Sequence, residues 1–337
     1  MNIITKTMSD LVSIIIPAYN AASRVRLTLE SIISQDYGDL EIIVVNDSSQ
    51  DDTEKIARKV LESSGRSYRL INHEHNRGEC ASRNTGIKHA EGRYICFVDA
   101  DDMICTDFVS SLHDAIVQNE CDISFCGLID RFTDGRPDAD IAFAHGRSYV
   151  REGVEFILAG EVPSVYCCMY SAEFLRKNGL VFHEGCIAGG DVEFTKKALC
   201  TAHRVTFTAQ CLYVYVHHAD MGSVKDNDTP AKKMLRYEAN TGAVFRTAEY
   251  LSEHAHTDYL KRIAVNVLLP QSIIRRFTLA AKKHDRDGYY SLLQDKETMK
   301  ILRKGLSFYT FRHNAEVFMK VLCILLLPGI YYRMRAR

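Results

Sequence analysis

Between residues 93 and 102 the chain reads RYICFVDADD, an apolar strand-like run that ends in three carboxylates, Asp99, Asp101 and Asp102. Unpaired carboxylates at the end of a core strand are costly to bury, so the junction needs a cation to neutralise it. Asp99 and Asp101 stand two residues apart, and an extended backbone aims both side chains to the same side. Two hard oxygen ligands with room for more suit Mg2+ or Mn2+ held jointly with a phosphate-bearing substrate. For DxD alone an acidic turn after a strand is the simpler alternative, and the rest of the chain decides between the two.

Such a rim needs a scaffold, and the first hundred residues alternate strand and helix. Leu11–Pro17 (LVSIIIP) is a continuous β-branched apolar run, which fits a buried parallel strand. Val25, Leu29, Ile32 and Ile33 then recur at helical spacing, and Leu40–Val45 (LEIIVV) is a second strand. The polar stretch after it leads into a helix with Ile56, Val60 and Leu61 inward and an Asp51–Glu54 capping box. Tyr68–Asn72 is a third strand, Gly78–Ala90 a helix and Arg93–Val98 a fourth strand. This order predicts an α/β fold: a Rossmann-like, mostly parallel sheet flanked by helices. Past the acidic junction come a helix from Thr106 and a strand at Cys121–Ile129. A polar loop over 130–150, short helices at Val154–Ala159 and Ala172–Asn178, and a strand at Arg204–Val216 follow. From Thr229 onward the pattern is helical, so the boundary falls near Asp226: a domain over 1–226 and a C-terminal α-helical region over 227–337.

Composition excludes several classes. A net charge of −1 over 337 residues offers nucleic acid no bulk attraction, so any anion must be bound locally. Neither GxGxxG nor GxxxxGK[ST] occurs, which argues against a dinucleotide-binding dehydrogenase and a P-loop NTPase. The eleven cysteines show no CxxC pair and sit in apolar stretches, as expected of buried thiols in a reducing cytosol. MNIITKTMSD is too short and polar for a signal peptide, and no apolar run reaches the about 18 residues of a spanning helix.

In an open α/β sheet, ligands bind beyond the carboxyl ends of the strands. PAYN (Pro17–Asn20) follows strand one, NDSS (Asn46–Ser49) strand two and DADD (Asp99–Asp102) strand four. Three loops therefore share one rim. With no glycine-rich phosphate loop present, a diphosphate there must be held by metal and side chains.

Read in order, VSIIIPAYN, EIIVVNDSSQDDT and NRGECASRNTGIKHAEGRYICFVDADD resemble the nucleotide-binding half of family 2 glycosyltransferases with the GT-A fold. Phe182–Phe194 (FHEGCIAGGDVEF) is similar to that family's acceptor-side motif FxEGxxxGEDxxF. The likeness covers residues 10–225. It implies that Pro17, Tyr19 and Asn20 lie against the nucleoside, with the Tyr19 ring offered for base stacking, and that Asp47 accepts from the uracil edge. Asn76 and Arg83 would approach the base and diphosphate, and Ala100 would lie at the donor. Asp99 would contact the ribose or the metal shell, Asp101 would ligate the divalent cation, and Asp191 would be the general base. His217 and His218 end the last strand, and one of them could complete the metal shell. Three departures stand out: Gly190 where the family carries Glu, and Asn46 and Ser48 for Asp and Gly, both conservative in a turn.

Glycosyl transfer builds positive charge on the sugar and negative charge on the departing diphosphate, which a divalent cation stabilises. One ionised carboxylate then suffices to activate the incoming hydroxyl. A helix N-terminus at Val192 would favour the ionised Asp191 by about 0.3–1 kcal/mol. The expectation is an inverting, Mn2+- or Mg2+-dependent transferase, cytoplasmic, moving a sugar from a UDP-sugar to a saccharide or lipid-linked saccharide in surface polysaccharide biosynthesis. A non-catalytic nucleotide-sugar-binding relative is the alternative, with Gly190 as its signal. A nucleotidyltransferase would need a basic glycine-rich loop where PAYNAAS stands. Val317–Leu327 (VFMKVLCILLL) followed by PGIYYRMRAR fits either a final core helix or a peripheral membrane element with tyrosines at headgroup depth.

Overall fold

The computed structural model describes residues 10–142, 150–159, 161–218, 229–255 and 257–336. The predicted boundary at Asp226 lies outside them. The first half builds β1 (Val12–Ala18), α1 (Val25–Ile33), β2 (Leu40–Asn46), α2 (Thr53–Glu62), β3 (Ser67–Asn72), α3 (Glu79–His89) and β4 (Tyr94–Phe97). Then come β5 (Met103–Ile104), α4 (Phe108–Gln118), β6 (Ile123–Phe132), β7 (Ala139–Ile141), β8 (Val150–Arg151), α5 (Gly153–Ala159), β9 (Cys168–Ser171), α6 (Ala172–Lys177), α7 (Gly190–Thr201) and β10 (Val205–His217).

The sheet runs β3-β2-β1-β4-β9-β6-β10-β5, with β7 on β6 and β8 on β10. The β3-β2-β1-β4 half is parallel throughout, as is the long β6–β10 pair. Short β9 joins the two by antiparallel pairing to β4 and β6. Every residue of β1 and β2 is buried, which explains why both read as continuous apolar runs. Ser13 and Glu41 satisfy each other: Ser13 donates to Glu41 at 2.5 Å, and Glu41 also accepts from the Glu91 and Gly92 amides at 2.7 and 3.0 Å. Helix α3 lies close on β1 because Gly86 has no side chain; a Cβ there would come within 2.2 Å of Ile15. The core joins Ile14, Ile16, Val44 and Leu29 with Phe108, Leu112 and Tyr213.

Two expectations are corrected. Residues 130–132 continue β6 and 139–141 return as β7, so this part of the expected loop is a hairpin; residues 143–149 lie outside the described set. The Asp51–Glu54 capping box does not form. Asp51 instead binds the Thr53 amide at 3.1 Å and the Ala22 amide at 3.0 Å, while Glu54 pairs with Arg58. A carboxylate that reaches across to another loop is worth more to the rim than a local cap.

The chain packs as two compact units, and the short segment Ile187–Glu193 is counted with the second. That unit contains α8 (Pro230–His254), α9 (Asp258–Ile263), α10 (Leu269–Lys282), α11 (Arg286–Gln294), α12 (Lys296–Lys304), α13 (Phe308–His313), α14 (Ala315–Leu326) and α15 (Pro328–Arg335). Its core gathers Ile273, Phe277, Tyr289, Leu302, Val317, Val321, Ile324 and Tyr331. Val317, Val321 and Ile324 recur at helical spacing, so one face of α14 is core. Tyr331 also turns inward, its hydroxyl 2.9 Å from Thr278 Oγ1. No single helix among the described residues is long and apolar enough to cross a membrane. None of the eleven cysteines forms a disulfide.

Candidate active site

The loops after β1, β2 and β4 meet at the carboxyl ends of the parallel strands around a cavity of about 520 Å³. The loops after β1 and β2 are laced together before any ligand arrives. Asn20 donates its amide to Ser49 Oγ at 3.0 Å and accepts the Gln50 amide on Oδ1 at 2.8 Å. Ala21 donates to Thr53 Oγ1 at 2.7 Å. Asn20 holds φ 49°, which asparagine tolerates better than most residues. Ser48 holds φ 60°, so the glycine it replaces suits the backbone and the exchange is less conservative than a turn alone suggests. Tyr19 keeps half of its surface exposed, and Pro17, Asn20, Asp47 and Asn76 share the cavity wall with it.

Asp47 is buried and held by three partners. It accepts the Arg77 amide at 2.9 Å and the Gly78 amide at 2.7 Å, and its Oδ1 lies 2.7 Å from His73 Nδ1. The other ring nitrogen of His73 meets Thr85 Oγ1 at 2.9 Å, so α3 fixes the imidazole that fixes the aspartate. Sequence reading missed His73. Its one signal was its place directly after a strand.

Arg83 is buried on α3 and is not among the cavity-lining residues. Its Nη2 donates to Asp99 at 2.7 Å, it pairs with Glu79 one turn earlier, and it lies 5.3 Å from the Phe182 ring centroid. It therefore orients Asp99 from behind. Asn84 clasps the Phe182 backbone on both sides, at 2.8 and 3.0 Å. Phe182 stacks on Phe194 with centroids 4.0 Å apart.

Asp99, Ala100, Asp101 and Asp102 all line the cavity. Burial, and then the charge of Asp99, raise the Asp101 carboxyl above its usual range. The same two causes, in the same order, push Asp102 up to about 8. Asp102 accepts the Val216 amide at 2.9 Å and the Tyr213 hydroxyl at 2.7 Å, and Tyr213 in turn accepts the Asp99 amide at 3.2 Å. The third carboxylate thus ties the acidic loop to β10, a role the sequence did not disclose. The two histidines part ways. His218 Nε2 lies 3.1 Å from the Asp101 carbonyl, whereas His217 pairs with Asp130 at 2.9 Å and stacks on Phe132.

These residues fit a divalent cation shared with a diphosphate. Burial and the neighbouring Asp99 carboxylate disfavour the charge of Asp101, and a cation there would relieve it. Among the described residues no three His, Cys, Asp or Glu side chains group as a complete metal site.

Asp191 lies in the first turn of α7, which starts at Gly190 and not at Val192 as expected. It belongs to the Ile187–Glu193 segment counted with the helical unit.

The sheet order, with a carboxylate rim at the ends of its parallel strands, is that of the GT-A fold. The family model for glycosyl transferase family 2 matches residues 13–179. The chain is 30% identical over 249 residues to the uncharacterized glycosyltransferase YibD of Escherichia coli strain K12, covering 72% of this chain and 71% of YibD. It is 32% identical to the uncharacterized glycosyltransferase EpsJ of Bacillus subtilis strain 168 over 62% of this chain and 61% of EpsJ, less than two thirds of that relative. Over 93 residues, 28% of this chain and 36% of the relative, it is 41% identical to the E. coli UDP-Glc:alpha-D-GlcNAc-diphosphoundecaprenol beta-1,3-glucosyltransferase WfgD. In structure it is similar to S. aureus TarS 1-349 in complex with UDP-GlcNAc, with TM-score 0.67 and 18% identity over 94% of this chain and 91% of that one. The chain belongs to glycosyl transferase family 2.

Proposed function

We propose that the protein transfers a sugar from a UDP-sugar to a hydroxyl of a saccharide or lipid-linked saccharide, with inversion, in surface polysaccharide biosynthesis. The single observation that carries this reading is the cavity where Tyr19, Asp47, Asn76, Asp99 and Asp101 converge. The Tyr19 ring stacks on the base, and Asp47, pinned by two amides and His73, presents a fixed acceptor to the base edge. Asp99 and Asp101, with His218 beside them, would hold Mn2+ or Mg2+, which when bound stabilises the charge gathering on the diphosphate. Asp191 takes the proton of the acceptor hydroxyl. The acceptor oxygen then bonds to the anomeric carbon as the bond to the phosphate oxygen breaks, and UDP leaves with the electron pair. A single displacement of this kind inverts the centre.

The UDP donor in WfgD's name and the UDP-GlcNAc held by TarS support the donor class, and the diphosphoundecaprenol in WfgD's name supports the acceptor class. The exposed Leu326, Leu327, Ile330 and Met334 beside Arg333 suit a peripheral site on the cytoplasmic, anionic face of a membrane. Gly190 supports a second reading, a relative that binds nucleotide-sugar without turnover. Incubating the protein and Mn2+ with a panel of UDP- and GDP-sugars, with and without EDTA, and weighing the products decides between them. Metal-dependent UDP release with a mass-shifted acceptor is the expected result. UDP binding with no turnover of any donor supports the second reading, and turnover in EDTA removes the metal role.

A further inference from the structure

Asp191 is flanked by two anchors, both on α8. Two residues after it, Glu193 is only 3% exposed and receives Arg246: Nε lies 3.1 Å from each carboxylate oxygen, and Nη2 lies 2.8 Å from Oε2. Two residues before it, Gly189 holds φ 79°, where a Cβ would come within 2.5 Å of Asn240 Oδ1 and 3.3 Å of Ala243 Cβ. The Glu193 amide closes the turn on the Gly189 carbonyl at 3.0 Å. Asn240, Ala243 and Arg246 recur every three residues, so one face of α8 grips both sides of the aspartate.

A buried ion pair is a weak source of stability, since apolar residues of like volume serve as well or better. What it does supply is a fixed geometry, because a guanidinium fork meets a carboxylate in one arrangement. Residues two apart on a helix point about 200° from each other. Anchoring Glu193 to α8 therefore turns Asp191 away from α8 and leaves its carboxylate available.

We propose that Arg246 is a positioning residue for Asp191, acting through Glu193 and the Gly189 turn. This inference rests on the reading of Asp191 as general base. A general base displaced by about 1 Å can lose a factor of about 10² in rate.

The test compares Asp191→Asn, Arg246→Ala, Arg246→Lys and the double variant Asp191→Asn/Arg246→Ala in the full chain. UDP release from the donor panel gives kcat and KM, and calorimetry gives UDP affinity with Mn2+. Arg246→Ala should lower kcat by about 10²-fold with UDP affinity unchanged, and Arg246→Lys should fall between it and the unaltered chain. The double variant should be no slower than Asp191→Asn alone, because the arginine acts only through that carboxylate. Additive losses, or a parallel drop in UDP affinity, would mean a merely structural arginine and overturn the proposal. If Asp191→Asn retains full turnover, the base assignment itself fails; if it collapses while Arg246→Ala keeps its kcat, only the positioning role fails. Should Arg246→Ala not fold, Glu193→Gln breaks the same ion pair with little change of shape, and its loss of kcat should likewise vanish against an Asp191→Asn background; a loss that persists in that double variant overturns the proposal.

Discussion

The donor rim and the acceptor-side segment are built on different principles. At the rim, loops from three strands are laced by many short hydrogen bonds between neutral groups and pinned amides, and the charges face inward on the cavity. Around Asp191 an ion pair and a glycine contact reach Arg246 and Asn240 of α8, far downstream in sequence. On the proposed function, the first region holds the nucleotide and the second serves the acceptor.

The predictions break or sharpen that contrast. The largest effect belongs to Asp191→Asn: turnover should fall by about 10²–10⁴-fold while UDP affinity holds, and weakened UDP binding would move this residue to the donor site. Asp101→Ala should reduce metal-dependent turnover by about 10²–10³-fold with cooperative unfolding preserved; undiminished transfer would take the metal away from this rim. His73→Ala removes one hydrogen-bond partner from Asp47, so UDP affinity measured by calorimetry should drop by about fivefold with kcat little changed. If kcat alone fell, His73 would act on the chemistry and not on the nucleoside contact.

The smallest effect concerns pH. Asp102 is pushed up to about 8 by burial first and the Asp99 charge second, whereas an unfolded aspartate ionises near about 3.9. In metal-free protein the native state keeps a proton that the unfolded chain gives up. Stability from this group is therefore full below about pH 4 and is lost as pH climbs towards 8. Denaturation midpoints in EDTA should decline from pH 5 to 8 and decline less in Asp102→Asn; identical slopes would refute the assignment.

What could be read in advance follows the same divide. The strands β1, β2 and β4 announce themselves because burial on both faces leaves no polar alternation, and the blocks at their ends follow from that. Strands β5 and β9, with two and four residues, are too short to carry a period and exist only because long neighbours offer them an edge. His73, Tyr213 and Asp102 were opaque for another reason: each matters through one partner that only the fold brings near. Glu193 carries no signal of its own in the sequence, because its guanidinium partner sits 53 positions downstream.

The assignment of Ile187–Glu193 to the helical unit bears on any attempt to retarget such an enzyme. A chimera that grafts foreign helices onto everything up to the end of β10 would set a native Gly189 and Glu193 against a stranger's α8. The exchange should work only when those seven residues travel with the helices, so the seam for swapping acceptors lies inside α7, not between the domains as drawn on a linear map.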